Sequence, residues 1–102
     1  MPLATHMTET SLMAYEALRP LLQERERNIL NVFLSRPYLN LTNMEIAATM
    51  GWSINRVTGR VKSLRDRGVL VKSEQRPCGV TRNTANAWEL NPEWRPDPPR
   101  LL

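Results

Sequence analysis

The chain has 102 residues, of which 41% are apolar and 24% charged, and it carries a net charge of +4. This length corresponds to one small domain, which hides roughly 60 to 70% of its unfolded surface and is too small to enclose a large active-site cavity as well. The sequence lacks both the ~20 apolar residues of a membrane span and the pattern of a secretory signal. We therefore expect a cytoplasmic binding protein rather than an enzyme, without membrane contact.

The positive charge is concentrated in one part of the sequence. Residues 1–52 and 83–102 each carry a net charge of −1, whereas residues 53–82 carry +6. A basic segment inside an otherwise neutral domain is typical of a nucleic-acid-binding surface, and a solvated basic helix is the alternative. A protein bound in this way would be associated with the nucleoid.

The first part of the chain predicts two helices. Residues 1–10 are interpreted as disordered or tag-derived, because they include a dipeptide typical of a cloning site. A first helix is expected to be capped by Ser11 and to break near Pro20, which removes a backbone hydrogen bond. An amphipathic second helix is predicted over residues 21–36, ending before the next proline.

Two further helices are predicted on either side of a tight turn. Thr42 and Glu45 have the spacing of a capping box at the start of the first one, which Gly51 ends. Ser53 caps the second, which ends before Gly68. One face of this last helix is apolar and is expected to enter the core: Ile54, Val57, Val61 and Leu64. The opposite face is polar and basic.

The chain after Gly68 predicts a hairpin and a tail. Two alternating segments surround a loop rich in turn residues, so we expect two strands with Arg76 and Arg82 at a basic tip. Residues 92–102 contain four prolines and are expected to form an extended tail outside the core. The domain is thus placed at residues 11–91.

The order helix, helix, tight turn, helix and basic hairpin is that of a winged helix-turn-helix domain. TNMEIAATMGWSINRVTGRVKSLRDRGVL (42–70) and the hairpin RPCGVTRNTANAWEL resemble bacterial and phage regulators of this type, including the MarR-like group. The resemblance covers about residues 21–90 and implies an α+β fold: a three-helix core, a C-terminal β-hairpin wing and an extra N-terminal helix. The positions that carry it are Thr42, Glu45, Ile46, Ala47, Gly51, Ser53, Val57, Val61, Leu64 and Gly68.

The resemblance implies a DNA site on the last helix, called the recognition helix, and on the wing. The major groove admits one α-helix, in which Arg56 can read guanine and Asn55 adenine. Ser53 and the helix N-terminus suit a phosphate, while the wing tip suits the minor groove or its phosphates. The predicted DNA contacts are Ser53, Asn55, Arg56, Thr58, Arg60, Lys62, Arg76, Thr81 and Arg82.

Gly59 is unusual inside a predicted recognition helix. Glycine in a helix costs about 0.5 to 1 kcal/mol relative to alanine. Either close approach to the DNA backbone or tight packing between helices would explain it. It also removes a base contact that a larger polar residue could make.

No catalytic, cofactor or metal site is predicted. His6 and Cys78 supply two metal ligands where three or four are needed, and no Ser or Cys has a suitable His partner. Cys78 is interpreted as a loop residue, with a thiol activated by Arg76 as the alternative. The three tryptophans are interpreted as core or tail anchors rather than base-stacking platforms.

The sequence as a whole predicts a double-stranded DNA-binding protein of bacterial or phage origin, a transcriptional regulator that acts by occupancy. A homodimer is expected through the N-terminal helix and the tail with Trp94 and Leu101-Leu102, because two recognition helices would meet half-sites one helical turn apart. The alternative is that this helix covers its own core. Two other functions stay open: a DNA-binding accessory protein in phage replication or recombination, and a module that binds a host protein.

Overall fold

The computed structural model describes residues 9–36 and 38–94, with side chains from Met13 onward. The α-helices are α1 (Glu9–Leu18), α2 (Glu24–Ser35), α3 (Asn43–Met50) and α4 (Ile54–Asp66). The strands are β1 (Leu41–Thr42), β2 (Leu70–Pro77) and β3 (Thr84–Leu90), which form an antiparallel sheet in the order β1-β3-β2. This arrangement confirms the predicted α+β winged helix, in which α3 and α4 form the helix-turn-helix and β2 and β3 form the wing.

Pro20 separates α1 from α2, as its missing N–H predicts. Arg19–Leu21 form a single 3₁₀ turn with the proline at its start. The second helix therefore begins at Glu24, three residues later than predicted. Its first turn is closed by a hydrogen bond of 3.1 Å that the Gln23 N–H donates to Glu26 Oε1.

The N-terminal boundary of α1 differs from the prediction. The helix begins at Glu9, so Ser11 lies inside its first turn rather than ahead of it. Residues 9 and 10 were predicted to be disordered or tag-derived but belong to this helix, and the rest of that prediction, residues 1–8, lies outside the described residues.

The helix-turn-helix has the caps that its sequence predicts. Thr42 Oγ1 accepts from the Glu45 N–H at 3.2 Å, and Glu45 Oε1 accepts from the Thr42 N–H at 3.0 Å, which completes the capping box. Gly51 ends α3 with a left-handed φ of 70°. Ser53 Oγ then accepts from the Arg56 N–H at 3.3 Å and opens α4. These local bonds fix the tight turn that sets α4 across α3.

The wing strands pair along their whole length, from Leu70 opposite Leu90 to Pro77 opposite Thr84. The register shifts between Lys72 and Glu74, which is a β-bulge. The pairing of β1 with β3 was not predicted from the sequence, because two residues are too few to show an alternating pattern.

The core lies between the helices and one face of the sheet. The predicted face of α4 enters it at Val57, Val61 and Leu64, whereas Ile54 is 37% exposed. Ile54 is the first residue of α4 and lies one turn before Val57, the first buried residue of the helix. The prediction that Ile54 is a core residue is therefore wrong. The largest fully buried side chains include Tyr15, Phe33, Ile29, Leu30 and Ile46.

Trp94 belongs to the core, in contrast to the extended tail that the prolines predict. It is 8% exposed, and its ring stacks on Tyr15 with centroids 5.1 Å apart and planes inclined by 16°. Its Nε1 donates to the Arg67 carbonyl at 3.0 Å, while the Tyr15 hydroxyl donates to the Val69 carbonyl at 3.2 Å. The remaining predicted tail, residues 95–102, lies outside the described residues.

The orientation of α1 favours the alternative in which it covers its own core. Tyr15 and Leu18 are buried within the same chain, and Trp94 packs against them from the C-terminal side. Met13 and Leu21 remain exposed. The homodimer stays a prediction, with Trp94 unavailable for it because the ring is buried within its own chain.

Candidate nucleic-acid interface

One flank of α4 is bound to α2. The carboxylate of Glu26, which is buried, accepts a hydrogen bond from the Ser63 hydroxyl and lies 4.0 Å from Nε of Arg67. Arg60 Nη1 donates to Oε1 of Gln23 at 2.9 Å. Arg60 was predicted as a DNA contact, but this bond directs its guanidinium along the body of the protein rather than away from it.

The opposite flank of α4 rests on the wing. The guanidinium carbon of Arg65 lies 4.1 Å from the centroid of the Trp88 ring, which is a cation–π contact. Trp88 is buried and its Nε1 donates to Oδ1 of Asn43 at 2.9 Å. This confirms Trp88 as a core anchor and ties the recognition helix to β3. The sequence could not show this contact, since it joins residues 23 positions apart.

The face of α4 between these two flanks is open. Asn55, Thr58 and Gly59 are exposed in its first two turns, and Lys62 follows one turn later. Lys62 Nζ forms an ion pair of 2.9 Å with Asp66, and both side chains are largely exposed. Because exposed pairs of this kind contribute little, Lys62 can exchange Asp66 for another anion. The strip is polar, and three of these four residues lie in the first two turns of α4.

Arg56 lies beside this strip at the turn. Its guanidinium carbon is 5.9 Å from the centroid of the Trp52 ring, and the arginine side chain is exposed. Trp52 itself is half-buried and packs against the core. The aromatic ring therefore gives Arg56 a preferred direction without enclosing its charge.

Gly59 has open space around it. A Cβ atom at this position would meet no atom within 4 Å, apart from its own helix and neighbours. Tight packing between helices therefore does not explain the glycine, and close approach of an external molecule is the explanation that stays open.

The wing loop, residues 78–83, is a compact turn. The Cys78 N–H donates to the Asn83 carbonyl and the Arg82 N–H donates to the Cys78 carbonyl, both at 2.8 Å. Arg82 has a left-handed φ of 67°, which is uncommon for a residue with a side chain. The side chains of Thr81 and Arg82 are exposed, in agreement with their predicted position at the tip.

Arg76 does not lie at the tip, and the predicted position is wrong. It belongs to β2, and its guanidinium donates to Oε1 of Glu45 at 2.6 Å and to Oε2 at 2.8 Å. The sequence suggested a free basic residue because Glu45 is 31 positions away and already has a role in the cap. The ion pair neutralises Arg76 within the chain.

The Glu45 carboxylate has a strongly perturbed pKa. The hydrogen bond from Arg76, the largest cause, lowers the pKa from 4.5 to about 2, with further lowering by the N–H groups of Thr42 and Gly79. The side chain is 15% exposed, so the pair is largely protected from solvent. Glu45 therefore stays ionised throughout the neutral and mildly acidic range.

This pKa predicts an acid-sensitive contribution to stability. Because the folded pKa lies below the unfolded one, the contribution is present above pH 4.5 and is lost as the pH falls towards 2. We expect the thermal unfolding midpoint to fall over this range by more in the native protein than in Glu45→Gln, as measured by circular dichroism. Equal pH dependence of the two proteins would contradict the assignment.

Cys78 is the first residue of the wing loop, as predicted, and its thiol is buried. It is 1% exposed, and its Sγ lies 3.1 Å from Oγ1 of Thr42. Hydrogen bonding by Thr42, followed by the N–H groups of Thr81 and Val80, lowers its pKa to about 7. The hydrogen bond with Thr42 is thus a larger cause of this lowering than the charge of Arg76, which the alternative named, and burial keeps the sulfur away from solvent.

In residues 9–36 and 38–94, no helix is both long and apolar enough to cross a membrane. Over the same part of the chain, no group of three or more His, Cys, Asp or Glu side chains is arranged to hold a metal ion.

Comparison with known proteins supports the fold. No protein-family model and no curated protein matches the sequence. Among solved structures, a possible transcriptional regulator from Methanosarcina mazei Go1 is similar, with 14% sequence identity and a TM-score of 0.61. The match covers 81% of this chain and 68% of that chain. The similarity therefore extends over most of this α+β winged helix. At this level of sequence identity it supports the fold only.

Proposed function

We propose that this protein binds double-stranded DNA and acts as a small transcriptional regulator of bacterial or phage type. The observation that carries the proposal is the open strip on α4, where Asn55, Thr58 and Gly59 are exposed beside Arg56. The opposite face of α4 is buried and its two flanks are bound to α2 and β3, so this strip is what the recognition helix presents to a partner. The description of the similar structure as a possible transcriptional regulator agrees with this role.

In the proposed complex α4 enters the major groove. Arg56 donates two hydrogen bonds to guanine, and Asn55 pairs with adenine, since these side chains match the edges of those bases. The wing tip contacts the minor groove or its phosphates. Arg76 is left out because its guanidinium is paired with Glu45, and Arg60 because it is half-buried on the flank that faces α2, where it donates to Gln23. The proposed contacts are Ser53, Asn55, Arg56, Thr58, Lys62, Thr81 and Arg82.

The salt dependence of binding to a random duplex tests this function. Each phosphate neutralised by the protein contributes about −0.9 to the slope of log K against log salt. The proposed contacts include three basic residues, Arg56, Lys62 and Arg82, so we expect ~2 to 3 phosphate contacts per chain and hence a loss of about 10- to 40-fold in affinity between 50 and 200 mM salt. Fluorescence anisotropy with a labelled duplex measures it. The absence of duplex binding at 50 mM salt would contradict the proposal and favour a module that binds another protein.

Gly59→Ala is expected to separate stability from binding. Alanine should raise the free energy of unfolding by about 0.5 to 1 kcal/mol, because the helix gains propensity and the new methyl group meets nothing within the chain. If DNA approaches the backbone at this point, the same methyl group should weaken duplex binding. Thermal unfolding and anisotropy on one preparation measure both effects. A variant that is more stable and binds equally well would show that Gly59 makes no close approach.

We also propose a homodimer, with a smaller contact surface than the one predicted from the sequence. Two copies would place two recognition helices on half-sites one helical turn apart. The apolar residues that α1 and the adjoining turn leave exposed, Met13 and Leu21, are the described candidates for this contact. Sedimentation of the free protein and of its DNA complex would show whether two chains assemble on one site.

A further inference from the structure

The guanidinium of Arg76 is fully occupied within the chain. Besides its two bonds to Glu45, its Nε donates to Oδ1 of Asn40 at 3.0 Å, Nη2 to the Asn40 carbonyl at 3.1 Å, and Nη1 to the Pro77 carbonyl at 3.0 Å. An arginine has five N–H donors, and here each of them has an acceptor. Arg76 therefore has neither a free donor nor an unbalanced charge for a phosphate.

The carboxylate of Glu45 is occupied in the same way. Oε1 accepts from the Thr42 N–H and from Arg76, while Oε2 accepts from Arg76 and, at 2.7 Å, from the Gly79 N–H. A Cβ at residue 79 would lie only 3.0 Å from Oε2, so glycine allows the wing loop to approach this closely. One carboxylate thus joins the first turn of α3, strand β2 and the wing loop.

A second contact joins the same segments. Cys78, the residue before Gly79, lies with its Sγ 3.1 Å from Oγ1 of Thr42, the N-cap of α3. The base of the wing loop is therefore attached to the start of α3 at two successive residues. Because only the short turn around Gly51 separates α3 from α4, the loop is also held in place relative to the recognition helix.

We propose that the Glu45–Arg76 pair is a positioning element that sets the wing tip, with Thr81 and Arg82, at a fixed place relative to the N-terminal half of α4. This inference rests on the proposed DNA binding and adds to it that wing and helix engage the duplex as one rigid unit. The pair itself touches no DNA. Its effect on binding passes through Arg82, whose own side chain is exposed at the tip.

The proposal predicts the opposite sign from simple electrostatics. Removal of a negative charge from a DNA-binding protein ordinarily strengthens binding, because phosphates repel carboxylates. Glu45→Gln keeps the size of the side chain but weakens the bridge, and we expect it to bind duplex DNA more weakly than the native protein. Glu24→Gln removes an exposed carboxylate from α2, outside this network, and should bind equally well or slightly more tightly.

A double-mutant cycle tests whether the Glu45–Arg76 pair affects DNA binding through Arg82. In the native background, Arg82→Ala should reduce the magnitude of the salt slope by ~0.9, the contribution of one phosphate contact. In Glu45→Gln or Arg76→Lys backgrounds the same substitution should reduce it by less than about half of that, because the tip is no longer held against the duplex. Arg76→Lys keeps the positive charge but cannot reproduce the forked pairing with Glu45. It therefore separates the effect of the charge at residue 76 from the effect of positioning the wing.

The outcomes are distinct. Circular dichroism first establishes that each variant is folded at the temperature of the titration. If Glu45→Gln is not folded, Arg76→Lys replaces it as the variant that weakens the bridge. An equal effect of Arg82→Ala in all backgrounds, or tighter binding by Glu45→Gln, would overturn the positioning role while leaving DNA binding intact. Absence of duplex binding by the native protein would overturn the proposed function itself, and this inference with it.

Discussion

Replacement of Trp94 by alanine should lower the free energy of unfolding by about 3 to 5 kcal/mol, the usual range for a buried tryptophan. The expected loss is large because the ring is buried, stacks on Tyr15 and donates to the Arg67 carbonyl. A domain of this size has few other large side chains that could fill the cavity left by the indole ring. Urea unfolding measures the change when it is followed by far-ultraviolet circular dichroism, which reports on the backbone rather than on tryptophan fluorescence.

Tyr38→Ala is the matched control for Trp94→Ala. It removes another aromatic ring, but from an exposed position, and should change the free energy of unfolding by no more than about 0.5 kcal/mol. Tyr15→Phe removes only the hydroxyl and should cost less than Trp94→Ala, since the stacked rings remain. If Trp94→Ala were as mild as Tyr38→Ala, the C-terminal segment would not be part of the folded core.

Arg56→Ala should weaken binding to a preferred duplex by about 1 to 3 kcal/mol, or about fivefold to 150-fold in Kd, and should relax sequence preference. Arg56 is exposed at the start of α4, where a recognition helix meets base edges. Arg82→Ala should instead weaken all sequences to a similar extent, because a phosphate contact carries no sequence information. Selection from a random duplex pool, followed by anisotropy on selected and scrambled duplexes, measures both.

Arg25→Ala is the control for both arginine variants. Arg25 is an exposed arginine on α2, outside the proposed DNA contacts, so its loss reports the general effect of one positive charge. Equal losses from Arg56→Ala and Arg82→Ala on every sequence would show that α4 does not read bases. Losses no greater than those of Arg25→Ala would show that neither residue touches DNA.

The proposed DNA surface is smaller than the basic segment of the sequence. The charge of +6 over residues 53–82 includes four arginines that the structure engages elsewhere: Arg60, Arg65, Arg67 and Arg76. Arg76 joins the wing to α3, and Arg60, Arg65 and Arg67 contact α2, its N-cap or β3, although Arg65 and Arg67 keep exposed side chains. Part of the basic character is therefore used in contacts within the chain, and fewer residues are left to contact phosphates directly.

Features governed by neighbouring residues could be predicted from the sequence alone. The Thr42–Glu45 capping box, the left-handed Gly51 and the Ser53 cap all occur as expected, because each depends on backbone groups within a few residues. The buried face of α4 followed in the same way from helical periodicity, except at its first residue. These local signals were sufficient for the order of elements and hence for the winged helix.

Contacts between distant parts of the chain were decided only by the tertiary structure. Arg76 looked like a free basic residue until Glu45 was placed beside it, and Trp94 looked like part of a tail until it stacked on Tyr15. A charged side chain or an aromatic ring has the same local sequence whether its partner is solvent, DNA or a residue far along the chain. Local sequence patterns were therefore sufficient for the fold and for the position of α4, whereas contacts between distant residues decide which basic side chains stay available for the proposed DNA contacts.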